Sequence, residues 1–168
     1  MNKKMANEYV ISSIITMLIL AYIVSFNSLV TESLAQGSKP LEISNVQTLN
    51  ETGAPTSEFE KGQVVIVQAN VTNKMQPYYY YYYGGQTISF MFIVKIQNPD
   101  GETVFYGVSW GKLDPQESGR FAVGYGIPTD AKAGTYTAYI YAWNQWPSEP
   151  GVWIEYADPQ TTTFTVKP

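Results

Sequence analysis

The side chains of this sequence best suited to acid–base or metal chemistry are carboxylates, and several come in close pairs: Glu58 and Glu60, Asp100 and Glu102, Asp114 and Glu117, Glu155 and Asp158. Two carboxylates facing one glycosidic bond make a glycosidase, and several oxygens closing on one loop hold calcium. Neither pattern is met. Nothing in the sequence sets two of these acids across a shared space, no segment approaches a dense Asp/Asn loop, and turn chemistry accounts for Asp100 and Asp114. The 168-residue chain has no His and no Cys. That removes Cys/His zinc sites, haem ligation by His, iron–sulfur clusters and blue copper. It also removes Ser-His-Asp and Cys-His nucleophiles. Disulfides are impossible, so the fold must rest on its core. The expectation is a protein that is not an enzyme, with no catalytic, cofactor-binding or metal-ligating residue and no cofactor.

Charge narrows the partners. Lys and Arg number 10 against 14 Asp and Glu, a net charge of −4, and no window groups more than two basic residues. A nucleic-acid binder needs a clustered basic face, so nucleic acid is not an expected partner.

The chain is rich instead in aromatic surface. Tyr78, Tyr79, Tyr80, Tyr81, Tyr82 and Tyr83 run consecutively between Pro77 and Gly84-Gly85. Alternate side chains of a strand point to opposite faces, so at most half of these rings could enter one core. Tyr offers a large, rigid contact area at low entropic cost together with a hydroxyl. The run therefore predicts contact rather than chemistry. A second group joins Tyr139, Tyr141 and Trp143 on one face of a predicted strand, with Trp146, Trp153 and Tyr156 close by in sequence. Two readings of that stripe stand. In one, residues 144–160, with Pro147, Pro150 and Pro159, fold back over it. In the other it is a sugar-stacking platform, with Asn144, Gln145 and Glu149 as polar partners. Two acceptor patterns for N-linked glycans, Asn50-Glu51-Thr52 and Asn70-Val71-Thr72, add possible modification at Asn50 and Asn70.

The elements that carry these residues divide the chain into residues 1–35, a linker at 36–40 and a domain at 41–168. Lys3 and Lys4 precede an apolar run at residues 9–26, which as a helix would be roughly 27 Å long, close to a bilayer core. Three readings of it stand: a signal peptide ending at Ser33-Leu34-Ala35, an uncleaved anchor with the C-terminal domain outside, and a pilin-like leader cut near Met5-Ala6. Each exports the rest of the chain. From Leu41 onward, short β-prone runs alternate between turn signals: residues 41–49 with a bulge near Ser44-Asn45, then 64–72, 88–97, 103–110, 120–127, 135–143 and 161–166. Residues 50–61 read as a loop, and Asn98-Pro99-Asp100-Gly101 as a tight turn. About seven short strands predict an all-β antiparallel sandwich, preceded by one N-terminal hydrophobic helix. Gly134-Thr135-Tyr136 opens the penultimate strand, where a Tyr can bond back to the main chain as a tyrosine corner.

Ser44-Asn45-Val46, Gly62-Gln63 before Val64-Val65-Ile66, Gln97-Asn98-Pro99-Asp100-Gly101, Gly134-Thr135-Tyr136-Thr137-Ala138 and Thr161-Thr162-Thr163-Phe164-Thr165-Val166 occur in that order. Together they resemble the immunoglobulin-like, CARDB-like domains of archaeal exported envelope proteins. The resemblance spans residues 41–166. It implies extracellular adhesion or scaffolding and supplies no catalytic residues. The chain departs from it at residues 78–85, an apparent insertion between two strands, and carries a single copy of the domain. The functional expectation is an exported, non-catalytic envelope protein acting in adhesion or structural assembly. A carbohydrate-binding module and a pilin-like filament subunit are the alternatives. Its expected partners are other envelope proteins, surface glycans, and the membrane if the N-terminal helix is retained.

Overall fold

Alternation of apolar and polar residues becomes eight strands in the computed structural model, which describes residues 39–75 and 87–168. The readings placed on the N-terminal apolar segment and on Tyr78–Tyr83 lie outside the described residues. The strands are β1 (Leu41–Leu49), β2 (Glu58–Phe59), β3 (Val64–Asn73), β4 (Ile88–Gln97), β5 (Thr103–Leu113), β6 (Ser118–Gly126), β7 (Gly134–Trp143) and β8 (Gln160–Val166). They form two sheets, β1-β3-β6 and β2-β8-β7-β4-β5. All neighbours are antiparallel except β2 and β8. The architecture is a two-sheet β-sandwich.

The core lies between the sheets. β3 contributes Val65, Val67, Ala69 and Val71, β4 contributes Phe90, Phe92, Val94 and Ile96, and β7 contributes Tyr136, Ala138, Ile140 and Ala142, all buried. β1 adds Leu41 and Ile43 before its pairing with β3 slips between Ser44 and Gln47. Asn45 at the slip has φ 50°, a left-handed conformation that Asn tolerates better than most residues. The bulge expected at Ser44-Asn45 is therefore present.

Two expectations are corrected. Residues 50–61 are not wholly loop, because β2 lies within them and pairs in parallel with Thr165 and Val166. Its anchor is Phe59, buried and edge-on to Phe164 at 5.6 Å. A two-residue strand has no period to read, which is why the count rises from seven to eight. β5 also runs on to Leu113 rather than ending at Trp110.

The sheets come close on the β5–β6 side because β5 presents glycines inward. A Cβ on Gly111 would strike the rings of Phe90 and Phe121, and one on Gly107 would strike Val123 and Phe105. The Phe90 and Phe121 rings pack edge-to-face at 5.0 Å in the space left free. At the other end of the sandwich, the Tyr136 hydroxyl donates to the carbonyl of Lys132 at 2.9 Å. This is the corner bond expected at that position.

Two predictions follow from this packing. Gly111→Ala overpacks the interface and lowers stability by about 1–3 kcal/mol, measured by urea denaturation; an unchanged midpoint would contradict the close approach. The second concerns alkaline pH. Burial chiefly raises the Tyr125 and Tyr136 hydroxyls above their ordinary pKa of 10.0, with Tyr136 adding to the shift of Tyr125 and Asp100 to that of Tyr136. The unfolded chain therefore releases these protons first. Stability from this source is intact below pH 10.0 and is lost as pH rises from there through the folded-state values. Tyr136→Phe should flatten that alkaline loss and cost about 1–3 kcal/mol at neutral pH, because the Lys132 carbonyl loses its donor.

Candidate functional site: an aromatic sheet face

β4 is apolar on both sides. Besides its core-facing residues, Met91 and Ile93 on the opposite face are 0% exposed. Strand register shows what flanks them. Met91 lies between Trp110 of β5 and Trp143 of β7, and Ile93 between Val108 and Tyr141. One row further along, Lys95 lies between Tyr106 and Tyr139. The outer face of the five-stranded sheet is thus a plane of rings over an apolar floor. Tyr106 and Trp110 stand most open, 60% and 70% exposed. Strand spacing puts Tyr106 and Tyr139 about 10 Å apart across the sheet, and four residues of rise put Tyr106 and Trp110 about 13 Å apart along β5.

The alternation that builds this face also explains its contrast with the interior. On β5, Gly107 and Gly111 point inward and are small, while Tyr106 and Trp110 point outward and are large. The sequence reading placed Tyr139, Tyr141 and Trp143 on this face but assigned no face to β5, so it missed Tyr106 and Trp110. The signal was there in the alternation of Val104, Tyr106, Val108 and Trp110 with Phe105, Gly107, Ser109 and Gly111.

The segment after β7 does fold back, but its cover is partial. Asn144 organises the return: its Oδ1 accepts from the Ile154 amide at 2.7 Å and its Nδ2 donates to the Val152 carbonyl at 2.7 Å. Trp143 bridges to Glu155. Trp146 and Trp153 then meet the Trp143 ring edge-on, with centroids at 6.1 and 5.4 Å. The Trp143 indole Nε1 is buried without a hydrogen-bond partner among the described residues, a cost of about 1–3 kcal/mol. Tyr139 and Tyr141 remain only half-buried, and Trp153 stays exposed.

Apart from Glu60, the paired carboxylates are engaged in turns and ion pairs. Glu155 and Asp158 share Lys39 at 2.6 and 2.8 Å, and those two bonds, Asp158 first, raise the Lys39 pKa. Asp100 pairs with Lys132 at 2.6 Å and Glu58 with Lys167 at 2.8 Å. Asn98 Oδ1 caps the Asp100 and Glu102 amides, and Glu117 accepts from the Asp114 amide. Among the described residues no three acidic side chains converge as metal ligands.

The glycan-acceptor candidates sit far apart in character. Asn50 is in a turn, where its Oδ1 accepts from the Thr52 amide and hydroxyl and from the Ala54 amide. Beside it a shallow hollow of 270 Å³ lies between residues 50–52 and 62–64. Asn70 is on the polar outer face of central strand β3, between Ser44 and Arg120.

No family model matches the chain, and no curated protein matches it. Solved structures share its fold. The C-terminal domain of Wzt is similar at a TM-score of 0.57 and 11% identity, over 79% of this chain and 76% of that one. Alkylpurine DNA glycosylase AlkC of Pseudomonas fluorescens, solved with DNA containing an abasic site analogue, gives 0.52 at 8% identity. That match covers 82% of this chain but only 33% of AlkC. A putative β-galactosidase from Bacteroides fragilis gives 0.50 at 10% identity, over 77% of this chain and 18% of the enzyme. At such identities the likeness is one of fold.

Because Tyr106 and Trp110 stand outside the core, their removal should leave the fold intact. Tyr106→Ala is expected to change stability by no more than about 0.5 kcal/mol and Trp110→Ala, beside buried Met91, by about 1 kcal/mol, against about 3–5 kcal/mol for the buried Phe92→Ala. Equal losses in thermal denaturation would show that the outer rings serve packing.

Proposed function

We propose that this chain is an exported, non-catalytic domain that acts in adhesion or structural assembly through the aromatic outer face of its five-stranded sheet. One observation carries the reading: Tyr106, Trp110, Tyr139, Tyr141 and Trp143 share that face, and its most open rings are held by an edge strand whose other side already packs the core. Contiguous exposed aromatic surface marks interaction sites in soluble domains. Such rings also dominate binding energy where they become buried.

The finer fold reading is an immunoglobulin-like sandwich. It is supported by the strand order of the two sheets, by the switch of the N-terminal strand from β3 at β1 to parallel pairing with β8 at β2, and by the Tyr136 corner. Export is supported by the charged start and apolar run of residues 3–26, whichever of the three readings of that segment holds. The contact role of Tyr78–Tyr83 rests on composition alone and is a separate part of the proposal.

Cells displaying the full chain test both parts. A Tyr106→Ser, Trp110→Ser, Tyr139→Ser variant should reach the surface in normal amount and lose most of the adhesion or assembly of the parent. A second variant with Ser at residues 78–83 measures the run on its own. If the face variant adheres and assembles like the parent, the contact surface lies elsewhere.

A further inference from the structure

We infer that the aromatic face binds an acidic polysaccharide, with rings stacking on pyranose faces and two lysines meeting its carboxylates; this rests on the contact role proposed above. The charges on the face are the reason. The chain as a whole is acidic, at −4. Yet the outward residues of β5, β4 and β7 (positions 104–112, 89–97 and 135–143, every second residue) include only two charged side chains, Lys95 and Lys112. Among the described residues, Lys39, Lys74, Lys132 and Lys167 pair with carboxylates, whereas Lys95 and Lys112 on this face, like Lys61 and Arg120 elsewhere, pair with none. Lys95 lies instead over the Tyr139 ring, 4.2 Å from its centroid. A cation so placed keeps its charge directed at the surface, since the ring quadrupole holds it without neutralising it.

The remaining groups suit sugar hydroxyls. Register continues the Tyr106–Lys95–Tyr139 row into Thr161, and the next row reads Thr103, Gln97, Thr137 and Thr163. Rings for apolar faces, hydroxyls and an amide for hydroxyl groups, and unpaired ammonium groups for carboxylates therefore alternate over adjacent strands. The most exposed rings, Tyr106 and Trp110, stand on the sheet's edge strand, which fits a polymer lying across it. A protein partner would gain most from an extended apolar patch, and Lys95 interrupts this one at its centre.

Affinity electrophoresis of the full-length protein in nonionic detergent tests the inference, with polygalacturonate as the acidic probe and hydroxyethylcellulose as the neutral one. Polygalacturonate should retard the parent, and retardation should weaken as salt is raised. Trp110→Ala should weaken binding about tenfold, and Lys95→Gln with Lys112→Gln by about tenfold. Arg120→Gln, on the outer face of the other sheet, should bind like the parent. Absence of polygalacturonate binding, or equal binding by the double lysine variant, overturns the inference. Binding of hydroxyethylcellulose alone, of anionic phospholipid vesicles alone, or of a protein partner through Trp110 with no polygalacturonate binding, overturns it while leaving the contact face in place. If in addition the Tyr106, Trp110, Tyr139 variant adheres normally, the face itself is wrong.

Discussion

A strand buried on both faces needs apolar neighbours on both. β4 is such a strand, and much of the molecule answers to it. Inward, Phe90, Phe92, Val94 and Ile96 meet the valines of β3 across the sandwich. Outward, Met91 and Ile93 are as fully buried as the core, though no third layer of strands lies there among the described residues. Their flanking positions are filled by Val108, Trp110, Tyr141 and Trp143. The interior thereby dictates an aromatic exterior. With no disulfide to help, the sheet holding β4 is wide, five strands against three, and its two edges are finished differently. β2 closes one with Phe59 and the Glu58–Lys167 ion pair, and β5 closes the other with glycines inside and rings outside.

The strands were legible because period two is a direct consequence of the pleat. Val65 to Val71 and Tyr136 to Ala142 fall on the faces that alternation assigns them, and the slip at Ser44-Asn45 breaks the pattern where the register shifts. Tyr136 could be read because the corner bond depends on local chain direction at the start of one strand. β2 was not legible. Its existence depends on Phe59 finding Phe164, more than a hundred residues away in sequence. The face was half legible for a related reason. Tyr139, Tyr141 and Trp143 share a strand, and alternation puts Tyr106 and Trp110 on one side of theirs, but that the two sets meet side by side follows only from the β4–β5 and β4–β7 register, which no local pattern encodes. The fate of Trp143 also required tertiary information, since Trp146 and Trp153 reach it through the Asn144 turn.

The carboxylates illustrate the opposite outcome. Four close acidic pairs invite a catalytic or calcium reading, and all their members but Glu60 make ion pairs or local hydrogen bonds. Lysines make the complementary point. Lys39, Lys132 and Lys167, near turns and the C-terminus, are neutralised by carboxylates, while Lys95, set among rings, is held by a π face. The electrostatic character of the aromatic face is therefore set by its surroundings rather than by net composition.

The central claim is that the outer face of the five-stranded sheet, and not the polar face of the three-stranded one, is the surface this protein uses. Site-specific photo-crosslinking on intact cells tests it directly, with a benzophenone amino acid placed at Trp110 in one strain and at Gln68 in another. The account predicts crosslinked product from position 110 and none from position 68. Crosslinking from position 68 with none from position 110 would contradict it.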